Sequence, residues 1–378
     1  MKPLVCLLVS ALVTATAVAQ DANEIRIAVV APISSRIGHV AQEALNGATL
    51  GANEGASRLA SWSARPVEGV PNIKLDFFDD RGDARTAQDV AHAIASSGQY
   101  AAVVGGINSG TAIPSAHIYE QATLINLSLG ATNPLLTRSG HRWALRMSMD
   151  DDQLARDTYR VSRDRFLGQP ALFVHDGTFY GELTANGFSS AHRAFKGEVA
   201  HVKNLGIEGE GDLQIPPLNN GSAAVLYLGG MDKFAIKVID RLPRYIHWTI
   251  VSGDGACSEP MAQETARLHM ALVCASQERK ASVPASGSAF EQAYKARFGQ
   301  QPGQMAQAAF DAVALLVETF GKQGRSASSA VLGQLKSGGP VAGGEGPIAF
   351  DARGDNTLAP AYLYEADKGA LMFKRRLR

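Results

Sequence analysis

The sequence predicts an α/β protein whose parallel sheets are covered on both faces by helices. Three observations carry this reading. Short, wholly apolar runs alternate with segments of helical period along nearly the whole chain, and unbroken apolar runs are what strands buried on both faces require. The pattern restarts at Asp150, as if a second unit were being wound. The 378 residues exceed one ordinary core and fit about two domains.

In chain order, residues 25–30 (IRIAVV) are an apolar run after a polar lead, hence a buried strand. A helix over 39–62 follows, with Val40, Ala44, Ala48 and Ala52 at spacing four. Residues 73–78 give the second strand. The turn after it offers Asp83 as N-cap to a helix over 84–97, with Val90, Ala91 and Ile94 as its buried stripe and Gly98 as its C-cap. Residues 101–134 form one βαβ unit. Parallel strands share their carboxyl edge, so this unit sets the polar turns 105–111 and 129–133 side by side, as a crevice for a small anion. Residues 143–147 add a strand.

The second round reads as helix 151–166, strand 171–174, helix 181–195 and strand 198–202. Strands 224–228 and 248–251 then enclose a helix over 232–242, and 270–275 is the last strand of the round. Helices over 289–298 and 305–321 follow, the second with Ala309, Val313, Leu316 and Phe320 on one face. The chain ends in a hairpin, 361–364 against 371–373, turning at Asp367-Lys368-Gly369.

Lys plus Arg equals Asp plus Glu at 36 each, so there is no net field to draw in nucleic acid or an acidic membrane surface. Residues 1–19 carry one Lys, an apolar run and an Ala17-Val18-Ala19 cleavage pattern, which reads as a secretory signal peptide. Cys257 and Cys274 then remain, each after an apolar run, in a compartment that permits disulfides. A bridge and two buried thiols are both open.

Chemistry-bearing candidates lie at strand ends. Asn108, Ser109 and Thr111 open a helix whose first amides favour an anion; a plain helix cap is the competing reading. Gly130, Ala131 and Thr132 supply bare amides and a hydroxyl at the next strand end, or simply close a turn before Pro134. Asp254, flanked by glycines, is placed either to meet an ammonium group or to bond its own turn. Tyr180 either walls a pocket or staples a helix entrance. The loop after Val104 fits neither GxxxxGK[ST] nor GxGxxG, and HExxH, CxxC and GxSxG are absent, so no enzyme, metal or cofactor is expected.

The ordered set IRIAVVAPIS, Asn46-Gly47-Ala48, FFDDRGD, VVGGINSGT, GATNP, VHDGTFYGE, LYLGG, SGDG and GPIAFDARGD resembles the leucine/isoleucine/valine-binding family of periplasmic proteins that serve ABC importers. The resemblance implies two doubly wound lobes joined by three hinge crossings, a type I periplasmic binding protein. Lobe one would hold residues 24–147 plus 278–350, and lobe two 148–277 plus 351–378. It implies that Ser109 and Thr132, helped by backbone near Asn108, Gly130 and Ala131, hold an amino acid's carboxylate, and that Asp254 holds its ammonium. Tyr180 and Tyr227 would edge the pocket. The implied protein is a periplasmic, monomeric receptor closing on an amino acid or similar small carboxylate and meeting an inner-membrane ABC permease; the alternative is a sensing module of the same fold uncoupled from transport. Arg36, His39 and Val40 depart from the family's first loop, and Asp254 is one methylene shorter than its usual glutamate.

Overall fold

A computed structural model describes residues 24–62, 71–195, 202–215, 223–324 and 326–377. The 1–19 segment and most of the expected strand at 198–202 lie outside them. In the first unit, β1 (Glu24–Ala31), α1 (Gly38–Trp62), β2 (Asn72–Asp79), α2 (Ala84–Ser97), β3 (Ala102–Gly105), α3 (Ser109–Gln121), β4 (Ile125–Ser128), α4 (Leu135–Arg138) and β5 (Ala144–Arg146) succeed one another. The five strands form a parallel sheet ordered β2-β1-β3-β4-β5.

The apolar runs explain why this sheet is covered twice. Side chains alternate faces along a strand. Ile25, Ile27, Val29, Ala102 and Val104 join one core cluster, whereas Ala28, Val30 and Val103 join another on the opposite face. The first cluster is completed from far down the chain, by Val313, Leu316 and Phe320.

The second unit contains α5 (Asp151–Ser162), β6 (Ala171–His175), α6 (Phe179–Ala194), β7 (Val202–Asn204), β8 (Ala223–Gly229), α7 (Asp232–Asp240), β9 (His247–Ser252), α8 (Glu259–Arg267) and β10 (Ala271–Ser276). The chain then returns to the first unit with α9 (Ala289–Phe298), α10 (Gln304–Gln323) and α11 (Ser328–Ser337). After β11 (Val341–Ala342) and β12 (Pro347–Ile348) it closes with β13 (Tyr362–Asp367) and β14 (Ala370–Arg376). The second sheet is ordered β14-β13-β10-β9-β8-β6-β7, parallel except for the terminal hairpin. Lys368 and Gly369 both take positive φ, as a tight hairpin turn of this twist requires.

Helix α6 starts two residues before the expected Gly181. Thr178 is its cap, with Oγ1 accepting from the Gly181 N–H at 3.0 Å, so Phe179 and Tyr180 are already helical. The expected strand at 143–147 shortens to β5, and α4 was not foreseen from its four residues.

The chain passes between the two sheets three times, after β5, after β10 and after β12. The crossings are tied to one another. The Gln277 side chain accepts from the Met149 N–H at 2.6 Å and donates to the Met149 carbonyl at 2.9 Å, and Asn356 Nδ2 donates to the Met147 carbonyl at 3.0 Å.

Of the two open readings of the cysteines, the structure takes the bridge. Cys274 lies on β10 beside Ser252 of β9, and the turn after β9 brings Cys257 back with its Cα 5.4 Å from that of Cys274. Closing a loop of this size contributes about 3 kcal/mol in the chain-entropy account. Replacing both cysteines by alanine is expected to lower the unfolding free energy by about 2–4 kcal/mol, read by urea denaturation. Reductant should reproduce the loss in the unmodified protein and do nothing further to the variant.

Candidate functional site

The carboxyl edges of the two sheets face the crossings, and the candidates gather there. Pairing of β3 with β4 sets Gly105 opposite Ser128, so the turns that follow lie side by side. They are stitched together: the Leu129 N–H donates to the Gly105 carbonyl at 2.9 Å, and the Asn133 N–H donates to Ser109 Oγ at 3.2 Å. Asn108 is the N-cap of α3 without a side-chain capping bond, and Ser109 is the helix's first residue. The positive end of α3 and the Ser109 hydroxyl thus share one half-exposed corner with Thr132.

Gly130 is required by close approach, since a Cβ there would meet the Ile107 carbonyl oxygen at 2.8 Å. Ala131 is wholly buried, and its carbonyl accepts from Ser148 Oγ at 3.1 Å and from Arg146 at 3.4 Å. Arg146, at the end of β5, is 0% exposed. It also donates to the Asn133 carbonyl at 2.8 Å and pairs with Asp355, so one guanidinium braces the whole turn from behind.

On the second sheet's side, Asp254 follows β9 and accepts a hydrogen bond from Ser276 Oγ at the end of β10. Tyr180, in the first turn of α6, accepts from the Gly255 N–H at 2.7 Å, so Tyr180 and the Asp254 turn are one unit. Gly255 has no room for a side chain, because a Cβ would stand 2.7 Å from the Tyr180 ring. Burial pushes the Asp254 carboxyl up, against the lowering pull of the Ser276 bond and Lys280. It also keeps the Tyr180 phenol protonated far beyond neutral pH.

Two of the expected site residues lie apart from this group. Thr111 turns away from the crevice: it is buried, its hydroxyl donates to the Asn108 carbonyl at 3.1 Å, and it lines a small internal cavity with Asp80, Ser115 and Tyr119. The helical rotation from Ser109 to Thr111 carries it to the inner face. Tyr227 lies within the second unit's core, its ring stacked on Phe173 at 4.8 Å and packed against Phe188 and Tyr159. It sits on the opposite face of β8 from Leu226 and Leu228, which belong to the other core cluster. Val40, one of the departures in the first loop, packs on the first unit's core, while Arg36 and His39 are exposed.

The residue that sequence reasoning missed is Asp151. Residues 150–152 read as a generic acidic start to a helix, yet the three acids diverge. Asp150 caps α5 by accepting from the Gln153 N–H at 2.9 Å, Asp152 pairs with Arg156, and Asp151 turns inward, 4% exposed. Its N–H donates to the Thr132 carbonyl at 3.0 Å, and its carboxyl is hydrogen-bonded to the Thr132 side chain. It lies close enough to Asp254 and Tyr180 to interact with both. Asp151 is therefore where the two turns of the first sheet meet the acid and phenol of the second.

Burial raises the Asp151 carboxyl to about 7, the neighbouring Asp254 adding to the rise and the Thr132 bond and Arg146 opposing it. An unfolded aspartate titrates near 3.9, so between those values the folded chain holds a proton that the unfolded chain has lost. Stability from this group accordingly falls as pH rises from about 4 through 7. Asp151→Asn is expected to flatten that slope and to raise stability at pH 8 by on the order of 1–3 kcal/mol, checked by urea denaturation across pH. No group of His, Cys, Asp and Glu among the described residues could hold a metal ion.

The profile of the family described as "Periplasmic binding protein" matches residues 24–370. The chain is 27% identical over 303 residues to a Leu/Ile/Val-binding protein homolog from Brucella abortus, covering 79% of this chain and 80% of that one. Among solved structures, an ABC transporter substrate-binding protein from Desulfitobacterium hafniense in complex with Leu superposes with a TM-score of 0.69 at 22% identity, over 93% of this chain and 100% of that one. A branched-chain amino acid transporter substrate-binding protein from Streptococcus pneumoniae in complex with isoleucine gives 0.64 at 21%, over 93% and 99%. These relatives are binding proteins and not enzymes, and with two lobes of parallel sheet joined by three crossings this chain belongs to the periplasmic binding protein family.

Proposed function

We propose that the protein is the periplasmic solute receptor of an ABC importer, and that it closes on an amino acid or a similar small zwitterion between its lobes. The observation that carries this is the meeting of Thr132 and Asp151 across the first crossing, with Asp254 and Tyr180 beside them and the α3 terminus opposite. One side of that space is electropositive and rich in donors, and the other is acidic. The arrangement fits a carboxylate at Ser109 and the opening amides of α3, beside the Gly130–Ala131 turn, whose own amides make only long bonds of 3.4 Å to the Gly106 carbonyl and Ser128 Oγ, and an ammonium between Asp254 and Asp151.

Thr132 has one hydroxyl proton, and while Asp151 is ionised that proton is committed to the Asp151 carboxylate. Ser109 and the backbone then carry the ligand's carboxylate, and Thr132 orients the acid that meets the ammonium. The relatives named for leucine, isoleucine and valine support an amino acid as the class. Closure follows from the ligand's greater affinity for the shut cleft, where both lobes reach it.

A thermal-shift and calorimetric series tests this with leucine, isoleucine and valine, with 4-methylpentanoate lacking the amine, and with isopentylamine lacking the carboxylate. A ligand at 100 times its dissociation constant adds about 2.7 kcal/mol of stability. An amino acid should exceed both truncated analogues by at least tenfold in affinity. A deaminated acid that binds as well would overturn the zwitterion reading. Loss of labelled-ligand uptake on deletion of the gene, restored by the wild-type copy, tests the coupling to import.

A further inference from the structure

A second cavity, of about 70 Å³, lies beside the crossings. Met147 and Ser148 of the first crossing, Gln277 and Arg279 of the second, and 345–348 of the third all line it, with the opening turns of α10 as its floor. It is separate from the space at Asp254. Along the second crossing, Ser276 bonds Asp254 and Lys280 lies near it, whereas Gln277 bonds Met149 and Arg279 pairs with Glu345. The strap thus sends alternate side chains to two different sites.

One wall of the cavity is apolar, and acceptors gather at one end among its polar residues. Leu129, Met147, Ala308, Pro347 and Ile348 provide the apolar wall. At the floor, the nearly buried Asp311 accepts from Gln307 Nε2 at 2.7 Å and from the Gly344 N–H at 2.6 Å. That bond fixes the Gln307 amide the other way round, and its Oε1 is left buried with no hydrogen-bond partner among the described residues. The nearby guanidiniums are already occupied: Arg279 by Glu345 and Glu291, Arg376 by the Glu345 carbonyl, and Arg58, which attracts Asp311 without pairing with it, by Glu54 and the Ala342 carbonyl. Asp311 forms no ion pair among the described residues, and burial lifts its carboxyl to about 6. This end of the cavity thus leaves one acceptor unpartnered beside an unpaired carboxyl, which a charged donor with a small aliphatic body behind it would match.

We propose that this hinge cavity is a second ligand site, taking a small organic ammonium ion whose N–H groups meet Gln307 Oε1 and the Asp311 carboxylate and whose alkyl part lies against Met147 and Ile348. Because all three crossings line it, its occupancy and the angle between the lobes are reciprocally linked.

Isobutylammonium chloride is the probe, with isobutanol as the uncharged isostere. Methionine-methyl NMR of the full mature chain reads the site at Met147, assigned by Met147→Leu, with the buried Met261 of α8 as a remote control. A saturable shift of Met147 is expected with the ammonium, at least tenfold weaker with isobutanol, and at least tenfold weaker in Gln307→Leu and in the cavity-filling Ala308→Phe. Asp254→Ala must retain a saturable Met147 shift that prefers the ammonium over isobutanol, which separates this site from the cleft whether or not the cleft binds amino acids; loss of that shift in folded Asp254→Ala would overturn the proposal. No Met147 shift up to 50 times the concentration that saturates a working site in the millimolar range, equal response to isobutanol, or equal response in folded Gln307→Leu with unaltered remote methionines would each overturn the proposal.

Discussion

Replacing Asp254 with alanine will weaken amino-acid binding by about 2–5 kcal/mol, the range for removing one partner of a desolvated charge pair. At about 1.4 kcal/mol per decade, that is a loss of roughly thirty- to several-thousand-fold in affinity. The size follows from the surroundings. Asp254 sits in a cleft where burial already raises its carboxyl, and besides the Ser276 hydroxyl its attractive charged neighbour is Lys280, itself paired with Glu278. A ligand ammonium entering there would find an under-compensated carboxylate, and the variant would leave that ammonium unpaired. Asp254→Asn keeps the shape and the Ser276 contact while removing the charge, so it should show most of the loss in calorimetry. The unliganded variant should be no less stable than the parent, because the buried charge is a cost without its partner. Affinity unchanged in both variants would remove Asp254 from the site.

The second large effect is one of stability. Arg146→Met will lower the unfolding free energy by about 3–5 kcal/mol, the range for breaking a buried ion pair from one side. Arg146 donates to Thr137 at 2.9 Å, to the Asn133 and Ala131 carbonyls, and to Asp355, all from a fully buried position. Methionine fills part of the volume but strips the buried Asp355 carboxylate of its guanidinium, leaving it the Thr137 hydroxyl at 2.7 Å, and takes one donor each from the Ala131 and Asn133 carbonyls. The double variant Arg146→Met with Asp355→Leu should recover a large part of the stability, since no buried charge is then stranded. Urea denaturation of the single and double variants measures this. A single variant within 1 kcal/mol of the parent would mean that the pair is solvated in a way its burial does not show.

Much of the scaffold was legible residue by residue. The run IRIAVV became β1 because each face of that strand has a helix layer to pack on, and Asp83 and Gly98 bound α2 where a capping acid and a left-handed glycine must. Side-by-side placement of the Ser109 and Gly130 turns followed from parallel pairing alone. Individual side chains at helix starts were less legible. Thr111 and Thr132 are both small hydroxyl residues in turns, and only the rotation of α3 decides that Thr111 faces the interior. Tyr227 was assigned to a pocket through its segment, but a one-residue step along a strand exchanges one face of the sheet for the other, and its face is core. Glu43 shows the same limit from the opposite direction. It is one more residue of an exposed-looking helix turn by sequence, yet it is half-buried near Glu278 of the second crossing, with its carboxyl raised by burial.

By itself, then, the sequence determined the periodicities: which runs are strands, which segments are helices, where they are capped, and hence two α/β units with polar turns at their carboxyl edges. These depend on neighbours within a few residues, and local sterics and hydrogen bonding decide them. Tertiary structure decided which of three consecutive aspartates caps, pairs or turns inward, that Cys257 meets Cys274, that Arg146 stands behind the 130–133 turn, and that a cavity with an unpartnered acceptor lies among the crossings. Those outcomes depend on residues far apart in the chain coming to rest against one another, as Arg146 and Asp355, 209 positions apart, do. The charge and burial that give each group its chemistry exist only once both lobes are in place.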